Sequence, residues 1–282
     1  LGFNNLPTNI PPIYLYTLAF VFIDFGIVNT YFHLATARTH GFIQNPFSFA
    51  IPASVIIAAI GIRYMAINMR DALDQMNLED RSEFSNDDEY NAFSFSFQSK
   101  IMLYVLILGG YYANIFIIIG LPSYLEEFGV VSTVAFAVII YPLGYIPIAV
   151  EFFMLFASIH VLLPRQIVNA RPTPAFLDPR NLGGFYPIGE LLKHSYYIYT
   201  VGLLLFLSYI YGPSATGLGT AGISRAGAPE AAFFTIIWSF GLLAVGFSML
   251  TIHRLMAREK ESHLSQLEVQ LHDLVDEPYN IS

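Results

Sequence analysis

The run VVSTVAFAVIIYPLGYIPIAVEFFMLFASIHVLL, residues 130–163, holds one acidic residue, Glu151, and no lysine or arginine. As a helix at ~1.5 Å per residue it would reach about 50 Å, against ~30 Å of hydrocarbon in a bilayer. One perpendicular span does not need that length. Pro142, Gly144 and Pro147 lie inside the run. A proline removes a helix hydrogen bond and crowds the preceding turn. The stretch therefore predicts a membrane helix kinked or broken between Tyr141 and Pro147. Its outer half is expected to start at Ser123, which stands in capping-box spacing to Glu126.

Five more apolar runs flank it, near 13–35, 48–69, 99–120, 192–212 and 232–255. Only 12% of the residues are charged, and the mean hydropathy is +0.55. Soluble chains carry about twice that charged share. The expected fold is all-α: a polytopic bundle of about six spans whose last helix extends into the cytoplasm. Residues 1–255 form the transmembrane domain and 256–282 a cytoplasmic helical tail. Pro11 and Pro12 suit the first turn of the first helix, and Gly212-Pro213 is expected to stop the fifth.

With the amino terminus inside, ten basic residues fall on the inner side: Arg70, Arg81, Lys100, Arg165, Arg171, Arg180, Lys193, Arg254, Arg258 and Lys260. Only Arg38 and Arg225 fall outside, and Arg63 is read as intramembrane. This bias places both termini in the cytoplasm of a cell-membrane protein. The net charge of −8 argues against nucleic acid as a partner. The bilayer and further copies of the chain are the expected partners. There are no cysteines, so thiolate chemistry and Cys-based metal sites are excluded. No nucleophile-elbow, zincin or Walker sequence is present, and no cofactor is expected.

Within the spans, Asp24, Arg63 and Glu151 are the charged candidates. Such residues are rare in lipid and face protein or water. They read either as an ion or proton pathway or as a structural pair, Arg63 joined to Asp24 or Glu151. The sixth span places Gly241, Ala244, Ser248 and Thr251 at helical spacing, for close packing or for a pore lining at an oligomer axis. His160, His194 and His253 lie near the inner ends of their helices. Two of them could hold haem iron, although hydrogen bonding alone is the plainer role. Tyr111, Tyr112, Tyr141, Tyr145, Tyr196, Tyr197, Tyr209 and Tyr211 fall near span ends or breaks, as an aromatic belt would.

Residues 70–90 are strongly acidic but lack a calcium-loop pattern. They read as a solvated extension of the second helix and a flexible loop. In the tail, Leu264, Leu267, Leu271 and Leu274 repeat as coiled-coil a and d positions do. They would pair with another copy or pack on the chain's own loops.

The segment PTPAFLDPRNLGGFYPIGELL, residues 172–192, joins two spans. Asp178-Pro179 favours a turn, and Gly183 and Gly184 permit positive φ. Arg180 and Lys193 would stand at the inner mouth, where anions or lipid headgroups gather. This Asp-x-x-x-x-Gly-Gly loop resembles one found before a late span in uncharacterised prokaryotic polytopic membrane proteins. The resemblance implies a polytopic membrane fold and no particular activity. Three functional classes follow from the residues: an oligomeric channel or transporter-like pathway, a membrane sensor or signal relay using the last helix, and a haem-binding redox protein.

Overall fold

The computed structural model describes residues 11–36, 46–76, 95–170, 185–216 and 228–276. Every regular element among them is helical. Six helices are long and apolar enough to cross a membrane: Pro12–Tyr31, Pro46–Met76, Phe97–Glu126, Gly129–Asn169, Tyr186–Pro213 and Phe234–His272. Hydrocarbon offers the backbone no hydrogen-bond partner, and a helix satisfies its own amides along its length. The fold is an all-α membrane bundle.

The fourth span does not break at its prolines. Its backbone widens instead, into π-helical turns over Ala135–Tyr145, where carbonyls bond the amide five residues on. The Ile146 amide, for example, donates to the Tyr141 carbonyl. Pro142 sits inside this segment, and Pro147 in the first turn of the α-helix Ile146–Ala157. Neither proline can donate. On a five-residue spacing, Pro142 fails the Ala137 carbonyl and Pro147 fails the Pro142 carbonyl. On a four-residue spacing, Pro147 fails the Leu143 carbonyl. Each of these three oxygens receives a tyrosine hydroxyl. Tyr112 donates to Ala137 at 2.9 Å, Tyr104 to Pro142 at 3.0 Å, and Tyr16 to Leu143. Tyr111 adds a bond to the Phe136 carbonyl at 3.3 Å. Tyr111 and Tyr112 are thus not belt residues. They point into the bundle, whereas Tyr196 and Tyr197 are exposed.

The same bonds hold the third span in place. That helix is largely exposed, presenting Met102, Leu106, Ile117 and Ile118 outward. Apolar contact alone does little to associate helices in lipid. Its ties to the fourth span are Tyr104, Tyr111, Tyr112 and an ion pair, Lys100 Nζ to Glu151 Oε1 at 2.8 Å and Oε2 at 2.9 Å.

From Lys100 to Gly120, where the backbone takes φ 86°, the third span measures about 30 Å, comparable to the thickness of hydrocarbon. Glu151, paired to Lys100 at one end of that length, has a side chain 42% exposed. Gly61 packs against Phe152, so Arg63, exposed, stands near the same level. Beyond this level four helices continue. Met69, Met76, Leu163, Ile167, Ile188 and Leu191 are buried between them, while Asp71, Asp74, Arg165 and Lys193 are exposed. That is the pattern of an amphipathic helix bundle. The fourth run continues into it.

Other expectations shift at helix ends. The helix preceding the fourth span restarts at Leu121, with Gly120 at its N-cap and Pro122 in its first turn, so Ser123 is not the cap. Gly129, at φ 76°, separates it from the fourth span. The fifth helix runs through Pro213 to Thr216. Membrane helices tolerate proline where neighbours re-satisfy the backbone, and here Phe47 packs against Gly212. The extension of the second helix is solvated on one face only, since Ala72, Leu73 and Met76 are buried. The acidic stretch beyond Met76 lies outside the described residues.

Replacing Tyr112 with Phe removes one hydroxyl and leaves the Ala137 carbonyl unserved in a dry environment. We expect Tyr112→Phe to lower unfolding stability by about 1 kcal/mol. Tyr31→Phe, at an exposed ring, should be neutral. Reversible unfolding in mixed micelles measures both.

Candidate functional site

Three polar clusters stand at different heights. The highest is built on Asp24, which is buried. Residues Phe22–Val28 form π-helical turns in the first span, closed by the Asn29 amide donating to the Asp24 carbonyl. The Asn29 side chain reinforces this turn, giving Nδ2 bonds to the Asp24 carbonyl at 3.1 Å and to Oδ1 at 2.9 Å. Tyr145, at the end of the π segment of the fourth span, donates to Oδ2 at 2.5 Å. Two widened segments thus meet through one carboxyl. Gly144 permits the approach, because a Cβ there would lie 2.5 Å from the Phe20 ring.

The second cluster is the Lys100–Glu151 pair. The expected partnership of Arg63 with Asp24 or Glu151 does not form. Lys100, on the adjoining helix, reaches Glu151, and tyrosine and asparagine donors occupy Asp24. Arg63 instead faces outward.

The third cluster lies in the extension, on His160. A short π-helical turn, Ser158–Leu162, carries it, and it is fully buried. Its Nε2 is 2.9 Å from Ser195 Oγ in the fifth span, and its Nδ1 is 3.2 Å from Ser248 Oγ in the sixth. Ser195 also reaches the Leu192 carbonyl at 3.0 Å, and Ser248 the Val245 carbonyl at 2.8 Å. Each hydroxyl has one proton, and a neutral imidazole has one N–H and one bare nitrogen. Both serines can keep their carbonyls only if both ring nitrogens donate. With a neutral ring, one serine turns its proton onto the imidazole. The tautomer decides whether that serine belongs to the fifth helix or to the sixth.

An aromatic column rises from this junction. The His160 ring lies 4.3 Å from Phe156, and Phe156 stacks 4.5 Å from Tyr199. Tyr199 donates its hydroxyl to the Ile237 carbonyl of the sixth span. Its ring fills the space beside Gly241. Gly241, Ala244 and Ser248 are therefore buried inside their own bundle, and Thr251 is half-buried. The small-residue stripe packs helices here.

Both nitrogens of His160 are engaged, so iron ligation there would displace a serine. His194 lies edge-on to Tyr64 and 3.9 Å from Glu190, and His253 is exposed. Among the described residues no three His, Asp or Glu side chains gather as metal ligands do. Lys193 bonds Glu190 one turn earlier at 2.6 Å. Asp178, Arg180, Gly183 and Gly184 lie outside the described residues.

Asn29, Tyr145 and Ser195 are the participants that sequence reasoning missed. Asn29 follows Asp24 by five residues, a π-turn spacing that a four-residue reading passes over. Ser195 gives no local signal, since its role comes from the crossing of the fourth and fifth helices. No protein-family model matches the chain, and no curated protein or solved structure is detectably similar to it.

Proposed function

We propose that the chain is a membrane signal-relay protein in which the sixth helix is the output arm. One observation carries this: a single unbroken helix, Ala228–Asp276, joins the bundle to a tail exposed on every side. At ~1.5 Å per residue it is about 70 Å long. Its bundle portion is clasped at Ser248 by His160. From Glu261 to His272 no residue is covered. A lone helix of that length is marginal in water, and Leu264, Leu267 and Leu271 stay half-exposed or more, so a second copy is the partner that fits. In a parallel pair, His263 at a g position approaches Glu268 at an e position of the other copy, whereas an antiparallel pair would set Glu261 against Glu268. The positive-inside bias supports a cytoplasmic tail. In this account a change in the bundle that moves the His160–Ser248 bond rotates or shifts the sixth helix, and the tail pairing reads it.

The absence of cysteine makes the test direct. Leu267→Cys in native membranes should cross-link between copies. Adding Ser248→Ala should change the cross-linking rate about fivefold, which corresponds to ~1 kcal/mol of coupling. No cross-link at any expression level, or an unchanged rate, would overturn the relay.

A pathway function has one observation of its own in favour. Asp24 is a buried carboxyl with no cation beside it among the described residues. Intramembrane carboxyls of this kind mark ion and proton routes. Asp24→Asn keeps a hydrogen-bonding side chain and removes the charge. A pathway protein would lose proton or sodium flux in proteoliposomes on that change, while a relay would show no flux in either form.

A further inference from the structure

We infer that the cavity between the second, fourth, fifth and sixth spans is a binding site for one acyl chain of a bilayer phospholipid. The cavity measures about 260 Å³. An apolar cavity of ~150 Å³ already takes benzene, so this one has room for a chain segment. Its fourth-span wall runs from Tyr145 to Phe153 and ends level with the Lys100–Glu151 pair. Every wall residue belongs to a helix segment apolar enough to cross a membrane, so the space lies at acyl-chain depth. Its walls offer a guest no vacant polar donor. Ser54 donates to the Ala50 carbonyl at 2.6 Å, Tyr145 to Asp24, and Tyr199 to Ile237. A ligand with a polar group would bury it there unpaired, at a cost that a hydrocarbon chain avoids. Gly202 lines the space, and a Cβ built on it would meet nothing within 4 Å.

The site also touches the proposed relay. Tyr199 and Ile237 are both wall residues, and Tyr199 continues through Phe156 to His160. An occupying chain presses on the ring that leads to the Ser248 clasp. That input role rests on the relay function, whereas the lipid site itself does not.

The test uses the full chain in phosphatidylcholine vesicles whose acyl chains carry a diazirine. After irradiation, adducts are mapped by mass spectrometry. Adducts are expected on Phe153, Leu203 and Ile237 inside the cavity, as well as on the outward-facing Leu204 and Leu243. Gly202→Leu should abolish the interior adducts and keep the outward ones. Gly109→Leu, at an equally open glycine on the third span, should keep both sets. Adducts confined to Leu204 and Leu243 in the unmodified chain would overturn the site without any variant having to fold. Interior adducts that survive Gly202→Leu in a folded variant would overturn it too. If the adduct pattern holds but Gly202→Leu leaves the tail cross-linking of the Leu267→Cys chain unchanged, the lipid site stands and its input role falls.

Discussion

A carbonyl oxygen in hydrocarbon must have a donor, and the organisation of this bundle follows from that constraint. Pro142 and Pro147 withdraw two amides from the middle of the longest span. In water the orphaned oxygens would be hydrated at small cost. In lipid no water serves them, and a hydrogen bond to each is worth about 1 kcal/mol. The chain meets this with tyrosines on the first and third spans, whose hydroxyls reach Leu143, Pro142 and Ala137. The prolines thereby become attachment points. The third span, which buries little, is held where its tyrosines and Lys100 find the fourth.

Three of the widened segments hold a polar side chain inside. One surrounds Asp24, one ends at Tyr145, and one carries His160. A π-turn rotates the following residues relative to an α-helical register and leaves backbone oxygens differently aimed. Asn29 and Tyr145 make use of this at Asp24. At His160 the result is a ring between two serines of two other helices. The lower junction fits the output side of a relay, because one of those serines belongs to the helix that leaves the bundle. The aromatic column joins that junction to the cavity above it, so the proposed input and output share one set of side chains.

The spans were legible because 20-residue apolar runs have few alternatives. The orientation bias was legible because lysines and arginines are counted independently of packing. Misreadings arose where length and local rules were asked to predict crossings. The excess of the fourth run suggested a kinked or broken span, yet the helix continues, with Leu163 and Ile167 buried in the main core and the segment packed on the sixth helix. Helix periodicity alone does not separate a membrane stretch from a buried soluble one. Arg63 and Glu151 looked like a pair because both were assigned to the interior. Lys100 of the third span takes Glu151 instead, and no local pattern states that. Tyr111 and Tyr112 looked like belt residues by position, while their direction depends on which neighbour lacks a donor. The tail leucines were legible as a repeat, and their exposure accords with a partner outside the single chain.

Tyrosine hydroxyls replace the amides the prolines lack. A double-mutant cycle between Pro142→Ala and Tyr112→Phe tests it most directly, by unfolding free energy in one lipid mixture. Alanine at 142 restores an amide that can serve the Ala137 carbonyl. The loss caused by Tyr112→Phe should then shrink, with a coupling energy of about 1 kcal/mol. Additive effects, within about 0.3 kcal/mol, would show that the hydroxyl and the missing amide do not serve the same oxygen, and would contradict this account.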